Sequence, residues 1–200
     1  MNATTTTLDQ LTPFQQWMLR HADSDYVAAR LIYYTNTCYP VVPFLCREAV
    51  EKYLKLLLLR IKRIPDTEAG AEIRSYRHRL VEILKACQSS TANESDPRLW
   101  MLSKDKQLID SVSFVDDQRY EAVARYPNTF ALPGNVVQIF DSLISQVRDF
   151  YLEMKDTNPL EIVFDRLGQM VGWPIQNKQL VTTAFHDQNE KFLLQNLHAP

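Results

Sequence analysis

The stretch KYLKLLLLRIKR, residues 52–63, sets four consecutive leucines between two clusters of positive charge. A membrane span needs about 20 predominantly apolar residues. Lys55, Arg60, Lys62 and Arg63 interrupt this run, so a transmembrane anchor is not expected. Wound at about 100° per residue, Arg47, Glu48, Glu51, Lys52, Lys55, Lys62 and Arg63 fall within a sector of roughly 160°. Cys46, Ala49, Val50, Tyr53, Leu54, Leu56, Leu57, Ile61 and Ile64 cover the remainder. Leu58 and Leu59 then intrude on the polar sector, so at their level apolar groups surround the helix. Only a helix covered by neighbours on several sides tolerates that. Residues 42–64 are therefore expected to form the central helix of a bundle. Pro43 costs no hydrogen bond in its first turn, and Glu48–Lys52 and Glu51–Lys55 support it as pairs four apart with the acid N-terminal.

Other periodic segments fit around it. DSDYVAARLIYYTNTCY (23–39) repeats apolar groups at Val27, Leu31, Tyr34 and Cys38, with Asp23 or Ser24 as N-cap and an end before Pro40. HRLVEILKACQ (78–88) predicts a short third helix through Leu80, Ile83, Leu84 and Cys87. DPRLWMLSKDKQLIDSV (96–112) predicts a fourth, with Asp96 as cap, Pro97 at the first helical position, and Leu99, Leu102, Ile109 and Val112 inward. NVVQIFDSLISQVRDFYLEM (135–154) is the clearest amphipathic pattern, with Val136, Phe140, Leu143, Val147, Phe150 and Met154 inward and an Asn135 cap. The polar stretches 65–76 and 88–97 read as connections. No period-two alternation is long enough for a strand, so the fold class is all-α.

A chain of 200 residues fits one compact domain with an appendage. Only 4 Gly accompany 10 Pro, which favours helices over a turn-rich β protein. Cys38, Cys46 and Cys87 have no CxxC spacing and lie in or beside apolar segments, as buried thiols of a reducing cytoplasm would. The first residues lack the charge and apolar run of a secretion signal, so a cytoplasmic location is expected. After residue 154, LEIVFDRLGQM and KQLVTTAFHDQNEKFLLQNL read as two more helices, a C-terminal extension that covers the bundle or meets a second subunit.

The net charge of −2 conceals a basic middle: residues 47–88 carry 10 basic and 6 acidic groups, whereas residues 89–200 carry 10 and 15. A local positive field attracts phosphate even when total charge is negative. The same residues also suit the solvated faces of ordinary amphipathic helices.

FLCREAVEKYLKLLLLR (44–60), preceded by DYVAARLIYY and followed by YRHRLVEIL (76–84) and RYEAVARYPN (119–128), resembles the HEPN domains (higher eukaryotes and prokaryotes nucleotide-binding). The matching positions are Ala49, Val50, Glu51 and Lys55 on the central helix. His78 and Leu80 open the third helix, and Arg125, Tyr126 and Pro127 precede the last long one. The likeness covers about residues 14–154 and leaves 155–200 without a counterpart. It implies an up-and-down bundle of about five helices with a helical C-terminal extension, a homodimer, and a small nucleotidyltransferase as partner. It also implies a non-catalytic module that binds nucleotide or RNA by phosphate neutralisation through Arg47, Lys55, Lys62, Arg77, His78 and Arg125.

Metal-independent ribonucleases of that family separate an active Arg and His by four to six residues. Here the nearest pair, Arg74 and His78, has three residues between. No catalytic residue is therefore expected, and no cofactor or metal, because the His and Cys residues lack ligand-like spacing and HExxH, Gly-loop and GxSxG motifs are missing. Two other readings stand beside this one: a purely structural, oligomerising helical protein, and an atypical ribonuclease using Arg74 and His78.

Overall fold

The computed structural model describes residues 11–35, 41–91, 96–117 and 136–154. Among them the chain is all-α: α1 (Pro13–Thr35), α2 (Val41–Lys62), α3 (Asp66–Ser75), α4 (Leu80–Thr91), α5 (Pro97–Leu102), α6 (Lys106–Asp117) and α7 (Val136–Ser145), the last continuing as a π-helix (Gln146–Tyr151). None of these helices is long and apolar enough to cross a membrane. The expected C-terminal extension, residues 155–200, lies outside the described residues.

The central position of α2 follows from its leucines. Leu54, Leu56, Leu57, Leu58 and Leu59 are all essentially fully buried, and α2 packs against α1, α4, α7 and the π-helix. The helix ends where Arg63 takes the left-handed conformation (φ 53°). Ile64 N–H then reaches the Leu59 carbonyl at 3.0 Å and Arg63 N–H the Arg60 carbonyl at 3.1 Å, the paired closure that normally selects glycine. Cys46 and Cys87 are buried free thiols, as expected, and burial pushes both above the usual thiol range.

Four expectations need correction. First, α1 begins ten residues before Asp23. Its cap is Thr12, whose Oγ1 accepts from Gln15 N–H at 3.3 Å while Gln15 Oε1 accepts from Thr12 N–H at 3.4 Å, a reciprocal capping box followed by Pro13 at the first helical position. Asp23 is instead a wholly buried mid-helix side chain.

Second, residues 66–75 form α3, with Asp66 and Glu68 in its first turn and Arg74 in its last, as the helix dipole favours. Asp66 also reaches back to Thr12 Oγ1 and to Phe14 N–H, the latter at 3.1 Å, and so fastens the start of α1.

Third, the segment after Pro97 is two helices. Asp96 caps α5 through Arg98 N–H at 2.9 Å, but Asp105 starts α6 by accepting from Leu108 N–H at 2.9 Å. The Asp105 side chain also takes Gln146 Nε2 at 2.6 Å and the Tyr151 hydroxyl at 2.5 Å.

Fourth, the π-helix inserts one residue into the register of the last helix. The turn from 146 to 151 buries Arg148 completely and leaves Phe150, expected inward, 41% exposed.

Candidate functional site

Arg47, Glu51 and Lys55 succeed one another at four-residue spacing along α2 and so share a face. Although charged, Arg47 and Glu51 are buried, at 9% and 3% exposure. They are covered by the corner between α3 and α4, where Arg77 adopts a left-handed backbone (φ 51°) and carries the chain into α4 through His78 and Arg79.

Glu51 is the hub. Its Oε1 accepts from Lys55 Nζ at 2.5 Å, and its Oε2 lies 3.0 Å from His78 Nδ1 and 3.7 Å from Arg47 Nη1. A carboxylate oxygen accepts, so the tautomer that suits this contact carries its proton on Nδ1 and leaves Nε2 as the acceptor. Arg47 also donates to the His78 carbonyl and, at 3.2 Å, to Asp116 Oδ1. Asp116 in turn accepts Leu80 N–H at 3.3 Å and Val81 N–H at 3.2 Å, occupying the anion-seeking N-terminus of α4. Lys52 extends the network to Asp25 at 2.6 Å and Glu48 at 3.0 Å. Burial works against its charge, but those two carboxylates outweigh it and raise the Lys52 pKa.

The residues expected at a site thus divide three ways. Arg47, Lys55 and His78 converge on one carboxylate. Lys62 stands apart, bonded to Glu72 at 2.5 Å and the Tyr76 hydroxyl at 3.1 Å, and the Glu72 hydrogen bond raises its pKa. Arg77 is exposed, as is Arg74; Arg77 N–H donates to the Arg74 carbonyl at 3.1 Å, and neither side chain has an ion pair or hydrogen bond among the described residues. Arg125 lies outside the described residues. Sequence reasoning treated Glu51–Lys55 as an ordinary four-apart pair and did not bring His78 onto it. It missed Asp25 and Asp116, which are distant in sequence and meet α2 only after the helices pack.

Chemically, the corner presents the exposed Arg77 and one face of an imidazole held from behind by a carboxylate, while the exposed Arg74 guanidinium lies back along α3 beside Gly70. Arg79 is also exposed but pairs with Glu82 at 2.6 Å. Comparison with family models, with curated proteins and with solved structures finds nothing that matches this chain.

Proposed function

We propose that this chain is a HEPN-like accessory module that binds the phosphates of a nucleotide or nucleic acid at the corner between α3 and α4, with no covalent step. The supporting observation is the uncompensated charge there: Arg77 stands exposed next to His78 and Arg74 is exposed on the last turn of α3, while Glu51, Glu72 and Asp116 are engaged by Lys55, Lys62 and Arg47. In this reading Arg74, Arg77 and His78 meet phosphate oxygens. Arg47 fixes the corner through the His78 carbonyl, and Lys55 and Lys62 neutralise the acids behind it. A homodimer and a small nucleotidyltransferase partner belong to the same proposal and rest on the resemblance in sequence.

ATP, GTP and short RNA should raise the melting temperature at low salt, and binding should weaken as salt rises. The Arg74→Ala/Arg77→Ala double variant should bind about thirtyfold more weakly, because each of two charge-assisted contacts contributes on the order of 1 kcal/mol. Thermal shift and calorimetric titration measure both. The reading fails if no ligand stabilises the protein at low salt, or if the double variant binds like the parent.

One observation favours a second reading, the atypical ribonuclease. Glu51 holds His78 Nδ1 at 3.0 Å, which leaves Nε2 placed to take a proton from a ribose 2′-hydroxyl as it attacks the adjacent phosphorus. It requires RNA cleavage in EDTA that falls by about 10²-fold or more in His78→Ala. Cleavage unchanged in that variant comes from another protein.

A further inference from the structure

A cleft of about 650 Å³ opens where α5, the start of α6 and the π-helix meet. It lies beside the last turn of α4, where Gln88 Nε2 donates to the Leu102 carbonyl at 3.1 Å, whereas the α3–α4 corner lies at the first turn. The 12 residues of α4, about 18 Å of helix, separate the two. The geometry points to a binding site in this cleft for a small planar aromatic anion, an aryl carboxylate or sulfonate, independent of the phosphate reading.

Size and walls come first. The volume falls within the range of roughly 300–1,000 Å³ that small-molecule sites occupy. Trp100 and Met101 are 46% and 50% exposed, and Phe150 is 41% exposed, all on this one cleft. Folding normally hides large apolar groups, and a cluster of them left open marks a surface that meets a partner. Phe150 is there because the extra residue of the π-helix turns Arg148 inward and Phe150 outward, edge-on to Tyr151 with 4.9 Å between ring centroids.

Charge then narrows the ligand. Lys104 and Lys106 also line the cleft, with Asp105 between them as its only acid. Asp105 is fully used by neutral donors: Leu108 N–H at 2.9 Å, Gln146 Nε2 at 2.6 Å and the Tyr151 hydroxyl at 2.5 Å. Neither ammonium has a carboxylate partner among the described residues. Lys104 Nζ rests instead 3.7 Å from the centre of the Trp100 ring, a contact that keeps the cation at the aromatic wall. The lining side chains therefore sum to +1, with both lysines open to an anion. A neutral aromatic would leave the ammonium groups unmatched, and an inorganic anion would leave the rings in water. A ligand that carries a ring and a negative group satisfies both.

The test titrates the full chain with anilinonaphthalene sulfonate, read by dye fluorescence, and in parallel with phenylnaphthylamine, which has the same rings and no sulfonate. One bound sulfonate dye per chain is expected. Lys104→Gln/Lys106→Gln should weaken the sulfonate about tenfold and leave the neutral amine unchanged, whereas Trp100→Ala should weaken both. All three side chains are exposed, so the variants should keep the fold, which circular dichroism checks. The Arg74→Ala/Arg77→Ala variant should bind the dye as the parent does, and a loss there would put the dye at the corner and overturn the assignment. Sulfonate binding that is unchanged in the lysine variant, or matched in affinity by the neutral amine, would reduce the cleft to a bare apolar patch and also overturn it. So would a parent chain that binds no dye, the result expected if another part of the chain already fills the cleft.

Discussion

Leu58→Lys is expected to leave the protein unfolded at room temperature. Leu58 is fully buried, and truncating such a leucine to alanine already costs about 2–5 kcal/mol. A lysine at this position adds the cost of an ammonium with no carboxylate to meet it, because the residues around this level of α2 are apolar. Together these approach the entire stability of a domain this size, about 5–15 kcal/mol. Lys62→Ala, one turn on, removes a half-exposed pair with Glu72 and should cost under about 1 kcal/mol. Urea titration followed by circular dichroism measures both. A Leu58→Lys protein that melts within a few degrees of the parent would show that this position faces solvent, as a simple two-sided amphipathic helix would place it.

That contrast shows what the sequence could and could not reveal. The enclosure of α2 was legible because Leu58 and Leu59 break a polar sector that is otherwise clean, and no single-faced packing accommodates them. The cap at Asp96 was legible for a different reason: its signal is local. The true start of α1 was equally local, in Thr12, Pro13 and Gln15, but the pull of Asp23 as a cap concealed it. Asp23 is followed by an apolar period, and only tertiary packing shows that its carboxylate is needed inside. α3 was hidden by its lack of an apolar stripe. Only Ala69 of that helix is buried, so its helicity comes from charges placed along the dipole and not from a face turned to the core.

The candidate site was half legible. Four-residue spacing put Arg47, Glu51 and Lys55 on one face, and the resemblance singled out His78. The partners were not legible, because Asp25 and Asp116 reach α2 across sequence gaps that no periodicity spans. Their consequence is large: cations that looked like an open basic strip are mostly engaged by carboxylates, and the uncompensated charge moves to Arg74 on the last turn of α3 and Arg77 on the adjoining corner.

The π-helix makes the strongest claim on the interior, because it places Arg148, with no exposed surface, against Asp23, also fully buried. Arg148 Nε lies 3.4 Å from Asp23 Oδ1, and Arg148 Nη1 donates to the Met154 carbonyl at 2.9 Å. The Tyr53 hydroxyl donates to the same carboxylate. Burial raises the Asp23 pKa even though Arg148 and Tyr53 pull it down, and burial opposes the charge of Arg148, which Asp23 restores. Breaking one side of such a pair leaves a stranded charge, so Arg148→Met should lose about 3 kcal/mol near neutral pH.

The sign with pH follows from linkage. The folded-state pKa of Asp23 already lies above its unfolded value, so the folded form holds the proton to higher pH and this group's contribution falls as pH rises through that window. Without Arg148 the carboxyl rises further and the window widens. The deficit of Arg148→Met should therefore be largest near pH 7 and shrink as pH is lowered towards the ordinary aspartate range. Because its hydrophobic replacement removes both charges, the Asp23→Leu/Arg148→Met double variant should be more stable than the sum of the single losses predicts. Urea melts of the four proteins at several pH values measure both effects. A deficit that does not change with pH, or single losses that simply add, would mean that Asp23 and Arg148 are stabilised separately and that the inward turn of the π-helix serves packing alone.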